Sequence, residues 1–279
     1  MSLLLRDELR VVLSRDQLQL VRLSSKLTLK GWVYSLSEKK NIFFEVDAEE
    51  PWRNAINKLE SELAVIEKKP DLSSIVLANQ FLRYAIVDGD KALKSEAEQI
   101  AYVTHRLGLM YGESANTWDV RLDQEYAGAP YIASAVDREL IVELREIFKR
   151  LNMKLQSIQP CLMKAYNLCQ SVFKDKSAWF VMFEHGNLCL AWLNSGHIST
   201  VRTIKVGEDW LEKLTEIIDR ETYLSELDTG VREIFLMSFT EKKTDVPKNS
   251  DWKIYKITPE IPLGLFEHYD ERFALAMCG

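Results

Sequence analysis

Residues 178–206 hold three apolar runs, AWFVMF, LCLAWL and ISTVRTIKV, joined by the polar turns EHGN and NSGH. Short apolar runs with a glycine in each connecting turn read as three strands linked by two tight hairpins. A helical pattern follows over 208–225, with Trp210, Leu211, Leu214, Ile217 and Ile218 on one face. Two more strands, EIFLMSF (233–239) and WKIYKI (252–257), come after it. The first half of the chain has the same order. Strands at 9–14 and 17–23 are broken by Arg15-Asp16, and a third, NIFFEV (41–46), follows the charged turn Ser37-Glu38-Lys39-Lys40. Pro51 then opens a helix with Trp52, Ile56, Leu59, Leu63 and Ile66 on one face. Three hairpin-linked strands followed by a strand-helix-strand crossover build a mixed sheet covered by helices. Seen twice in one chain, that order excludes most folds.

The first half carries additional elements. SSIVLANQFLRYAIV (73–87) reads as two strand segments kinked near Asn79, and 95–111 as a helix with Ile100, Val103, Leu107 and Met110 in register. TWDVRL (117–122) and YIASAV (131–136) read as strands separated by Gly128 and Pro130. Asp137 caps an amphipathic helix over 138–151, built on Leu140, Ile141, Leu144, Ile147, Phe148 and Leu151. A short strand, LQSIQ, leads to Pro160 and a helix over 160–173. The charged turn Lys174-Asp175-Lys176 separates the halves. The expected division is a first lobe over 1–174, with an inserted subdomain near 80–136, and a second lobe over 175–279.

Composition removes several function classes. The net charge of −6 supplies no basic field for nucleic acid or anionic lipid. No apolar run approaches the roughly 18 uncharged residues of a membrane span, and the opening MSLLLRDELR offers no signal-peptide core. The expected compartment is the cytosol. The four cysteines (Cys161, Cys169, Cys189, Cys278) form no CxxC pair, and the four histidines (His105, His185, His197, His268) are dispersed. They read as reduced core thiols and isolated imidazoles, with no metal site. GxSxG, GxxxxGK[ST], GxGxxG and SxxK are absent. Asp88-Gly89-Asp90 reads as a turn, lacking the further ligands of a calcium loop.

PYIASAVDRELIVELREIFKRLNMKLQSIQPCLMKAYN (130–167), IVLANQFLRYAIV and the ending ERFALAMCG (271–279) resemble segments of the actin-like proteins of pilus assembly and type II secretion. That family includes PilM, the cytoplasmic domain of the type II secretion L protein, and the biogenesis protein of the mannose-sensitive hemagglutinin pilus. The resemblance, which spans nearly the whole chain by element order, implies an α/β fold: a duplicated ribonuclease-H-like, actin-like ATPase architecture of two lobes with mixed sheets. It also implies a partner, the short cytoplasmic tail of a bitopic inner-membrane protein. In the family that tail lies across the first lobe near the inserted subdomain, here roughly 80–136, which would hold the protein at the inner face of the membrane.

ATP-binding members of that superfamily carry an Asp near a Gly in the opening hairpin of each lobe, and paired glycines for the adenosine. Glycine admits backbone N–H groups to the phosphates, and the carboxylate holds Mg²⁺ or its waters. In the first lobe the aspartate position falls on Val12 and the glycine on Ser14, with Asp16 beyond in the turn. In the second, Phe183 or Glu184 stands in place of Asp, ahead of Gly186 and Asn187. Gly-Asn is also ordinary hairpin chemistry, so the turn reads as structural, with Glu184 as a weak metal ligand otherwise. Gly207 keeps one adenosine-side glycine beside Glu208, and 233–243, in place of a Gly-rich loop, contains none. Ser14, Glu184, Gly186 and Gly207 are therefore expected to be vestigial nucleotide positions, with no catalytic residue, cofactor or metal. The expected function is a scaffold. The alternative is an ATP-binding actin-like ATPase or sugar-kinase-like phosphotransferase working through Glu184, Gly186 and Gly207.

Overall fold

A computed structural model describes residues 5–88, 95–124, 130–184, 186–227, 230–239 and 251–278. The expected order recurs as two five-stranded sheets of one topology. The first joins β1 (Leu5–Leu13), β2 (Gln17–Thr28), β3 (Gly31–Phe43), β4 (Leu72–Leu77) and β8 (Leu155–Pro160) in the order β3-β2-β1-β4-β8. The second joins β9 (Ala178–Glu184), β10 (Asn187–Asn194), β11 (His197–Lys205), β12 (Glu233–Ser238) and β13 (Lys253–Lys256) as β11-β10-β9-β12-β13. In each, the first three strands are antiparallel and the last two continue in parallel with the first.

The apolar runs of the second sheet explain its central place. Strand side chains alternate between faces. Trp179, Val181, Phe183, Leu188, Leu190 and Trp192 share one cluster with Trp210, Leu214 and Ile218. Phe180, Met182, Cys189, Ala191 and Leu193 face the other way, into a core that continues through the first sheet. With both faces covered, β9 and β10 carry no polar alternation. Trp252 and Trp52 are also buried, at opposite ends of the chain.

Helix α4 (Cys161–Phe173) joins the two halves. Phe173 meets Phe180 and Phe235 of the second sheet at ring-centroid distances of 4.8 and 5.7 Å. Tyr166 donates to the Gly196 carbonyl at 2.8 Å. Helix α1 (Arg53–Ala64) packs on β2 and on α3 (Arg138–Arg150), whose first turn is capped by Asp137 accepting from the Glu139 N–H. The last helical turn, α6 (Ala274–Met277), returns to β1 and β2, where the Arg10 guanidinium donates to the Ala276 and Met277 carbonyls. Between β4 and α3 stands a smaller layer. The kink at Asn79 is a 3-10 turn (Asn79–Phe81), followed by β5 (Leu82–Val87), α2 (Glu96–Tyr111), β6 (Trp118–Asp123) and β7 (Tyr131–Asp137) in a sheet of order β5-β7-β6. Gly128, Gly89 and Asp90 lie outside the described residues. No helix among the described residues is long and apolar enough to cross a membrane.

Two expectations of local structure are corrected. Residues 37–40 are not a turn but part of β3, which begins at Gly31. As the edge of its sheet this strand faces water, and charged residues such as Glu38 and Lys40, paired at 2.8 Å, belong there. The helix after β11 is α5 (Leu214–Leu224), with 208–213 in turns. Trp210 is held there by stacking on Phe183 at 4.2 Å, so its burial needs no helix.

Gly196 has φ +90, and a Cβ there would meet the Phe173 carbonyl oxygen at 2.8 Å, whereas Gly31 has φ +102 in open space. Gly196→Ala is expected to cost ~1–3 kcal/mol or more, clearly exceeding Gly31→Ala. Chemical denaturation of both variants checks the ranking.

Candidate functional site

Glu184 ends β9 and is 7% exposed. Its Oε2 accepts the backbone N–H of Asn79, in the other half of the molecule, at 3.0 Å. Asn79 is 1% exposed, and its Oδ1 accepts from the Tyr84 hydroxyl at 2.6 Å and from the Leu162 N–H at 3.1 Å. Leu162 lies in the first turn of α4, whose N–H groups have no partner within the helix, and Pro160 at the cap position supplies none. Asn79 therefore caps α4 from a distant segment. The Cys161 thiol donates to the Glu184 carboxyl. The Asn79 Nδ2 faces the same carboxyl but closes no hydrogen bond in it.

Burial dominates the titration of this seam. It raises the Glu184 carboxyl above the ordinary range, and the hydrogen bonds from Cys161 and Asn79 offset this only in part. Burial also pushes the Tyr84 hydroxyl and the Cys161 thiol well up, and raises Cys189. These thiols stay protonated and are poor nucleophiles.

The structure places the four expected nucleotide positions in the turn after β1, at the end of β9 and its turn, and just after β11. Ser14 is buried in the turn after β1, its N–H bonded to the Gln17 carbonyl at 2.8 Å. Gly186, at φ +74, accepts the Val206 N–H at 2.9 Å, which sets it beside Gly207. A Cβ on Gly207 would lie 3.0 Å from Asp209 Oδ1. Glu184 is instead engaged by the Asn79 N–H. Val12 is in the core, His185 lies outside the described residues, and His197 is exposed at the start of β11. Among the described residues no group of three or more His, Cys, Asp or Glu side chains is placed to hold a metal ion. Asn79 and Cys161, which complete the seam, belong to no motif. Their only signal is a polar residue and a thiol at breaks in apolar runs.

A second feature lies on the first half. A groove of about 650 Å³ runs between α3, β8 and the small sheet. Val136, Ile141, Phe148 and Met153 contribute apolar lining, and Arg145, Lys149 and the Arg121–Asp119 pair, 3.3 Å apart, contribute charge. Among the described residues β8 is an edge strand, so one side of its backbone pairs with no neighbour.

No protein-family model matches the sequence, and no curated protein matches it. Solved structures do match. The chain is similar to the PilM-PilN type IV pilus biogenesis complex, at 11% identity over 84% of this chain and 80% of that one, with a TM-score of 0.58. It is similar to a Bacteroides thetaiotaomicron protein of unknown function with an actin-like ATPase fold, at 12% identity over 86% and 84%, TM-score 0.54. It is also similar to the cytoplasmic domain of EpsL, an inner-membrane component of the Vibrio cholerae type II secretion system, at 9% identity over 89% of each chain, TM-score 0.53. The fold is actin-like. Within an actin-like fold the Glu184 seam lies where the two repeats meet.

The raised Glu184 carboxyl fixes the sign of a pH effect. Below the unfolded value both states are protonated; as pH rises through the folded value, the native state must ionise a buried group and stability is lost. Glu184→Gln keeps an acceptor for the Asn79 N–H and abolishes the ionisation. Its stability relative to the parent is expected to improve from pH 5 to pH 8. Glu184→Ala strands that N–H and is expected to cost ~1–3 kcal/mol at pH 5. Denaturation midpoints across this range test both; parallel curves for parent and Gln variant would contradict the assignment.

Proposed function

We propose that the protein is a cytoplasmic scaffold of a type IV pilus-like or type II secretion-like assembly apparatus. In this reading lobes 1–174 and 175–279 form a rigid actin-like body. The groove beside the inserted subdomain holds the short cytoplasmic tail of a bitopic inner-membrane protein, which brings the scaffold to the inner face of the membrane. The observation that carries the reading is the groove. It offers an apolar floor, a charged rim and the edge of β8, the features an extended peptide uses when it adds to a sheet. Similarity to a PilM-PilN complex agrees with a tail as the occupant. A role without nucleotide hydrolysis is supported by Glu184, whose carboxyl is engaged by Asn79 and Cys161, and by Val12 in place of an acidic side chain. Ser14, Gly186 and Gly207 then serve their turns rather than a phosphate.

Photo-crosslinking in cells tests the groove. With a crosslinking amino acid at Ser134 or Gln156, the expected adduct is a bitopic inner-membrane protein. Tyr223, 83% exposed on α5, is the control and is expected to give none. Adducts from Tyr223 but not from the groove would overturn the proposal. The non-enzymatic reading expects no ATP turnover above background with Mg²⁺; turnover abolished by Glu184→Gln would refute it.

A further inference from the structure

The hairpin between β2 and β3 ends in the turn Thr28-Leu29-Lys30-Gly31. Its shape is secured without Leu29. The Thr28 hydroxyl donates to the Gly31 carbonyl at 2.8 Å and accepts the Lys30 N–H at 3.2 Å, and Gly31 takes φ +102. The position between them ordinarily carries a small or polar residue. Leu29 stands there instead, 108% exposed. Leu27, 45% exposed, pairs directly with Trp32 across the hairpin, so the two share a face just behind the tip. Leu263 adds an exposed apolar side chain near their base, where its carbonyl accepts the Tyr34 N–H at 2.9 Å.

A lone exposed leucine needs no explanation. The charges around this one do. Lys30 lies in the turn, Lys26 pairs with Val33 one step behind it, and the Arg6 guanidinium sits over the Trp32 ring at 5.1 Å. All three cations are exposed, and among the described residues none of them makes a salt bridge. Residues 23–37 contain no Asp or Glu. The neighbouring carboxylates of β1 are engaged elsewhere, Asp7 by Arg22 and Glu8 by Arg10.

An apolar tip, a tryptophan and a collar of unpaired cations match the surface of a bilayer. Alkyl side chains leave water among acyl chains, the indole sits at the interface, and the cations meet anionic headgroups. The tip is convex and two strands wide. That suits penetration of a fluid surface better than the roughly 800 Å² per partner that a stable protein interface buries. We propose that the β2–β3 hairpin dips Leu29, with Leu27 and Trp32 behind it, into an anionic phospholipid bilayer, held by Arg6, Lys26 and Lys30. The net charge of −6 supplies no such field over the whole molecule, so the contact is confined to this tip and stays weak and reversible. It does not rest on the groove, since bare lipid contains no protein tail, and either proposal can fail alone.

Co-sedimentation with vesicles of phosphatidylcholine, with and without phosphatidylglycerol, is the test. The expected result is binding to the phosphatidylglycerol vesicles that weakens with salt and falls at least tenfold on phosphatidylcholine alone. Leu29→Asp is expected to lower it at least tenfold, as is Lys26→Gln combined with Lys30→Gln. These side chains are exposed, so both variants are expected to keep the parent's thermal midpoint. Tyr223→Asp, at an exposed position on α5, is expected to leave binding unchanged. Binding that is absent, indifferent to Leu29, or equal on the two vesicles would overturn the proposal. Failure to bind either vesicle, with retention on native membranes that still depends on Leu29, would assign the tip to a protein and overturn it as well.

Discussion

A buried carboxyl, Glu184, crosses from one repeat to the other, and the arrangement of the two sheets depends on what it finds there. It accepts the Asn79 N–H; Asn79 in turn caps α4; and α4 carries Phe173 and Tyr166 into the second sheet. Each of these polar groups is buried, so separating the repeats would strand donors and acceptors away from water. The apolar contacts run the same way, since one core cluster extends from Leu9 and Ile75 through Phe173 to Phe180 and Phe235. Polar and apolar terms therefore favour the same closed arrangement, and the grooves at its margins inherit their shape from it.

The duplicated order was legible because each repeat begins with hairpin-linked strands whose apolar runs are unmistakable. Asp137 as a cap and Asn79 as a kink were legible for local reasons: one precedes an amphipathic stripe, the other interrupts an apolar run. The extent of β3 was not, because an edge strand carries the charges of a turn and its pairing with β2 is invisible in composition. The limit of α5 was hidden by Trp210, which keeps helical spacing while being buried through a ring stack.

The candidate sites were less legible than the fold. Glu184 stood out as a residue near a glycine turn, yet its partner Asn79 lies 105 residues away, and Asn79 in turn meets Leu162 across 83 residues. No spacing rule connects positions so distant.

Amide hydrogen exchange probes the closed seam most directly. If Glu184 and Asn79 hold the repeats together throughout the native state, the Asn79 and Leu162 amides exchange as slowly as those of Ile75 and Phe180, in mid-sheet, and Asn79 loses that protection in Glu184→Ala. Exchange at Asn79 and Leu162 as fast as at the exposed Lys30 turn, with Ile75 and Phe180 still protected, would mean that the repeats part freely and that the seam is not what holds them.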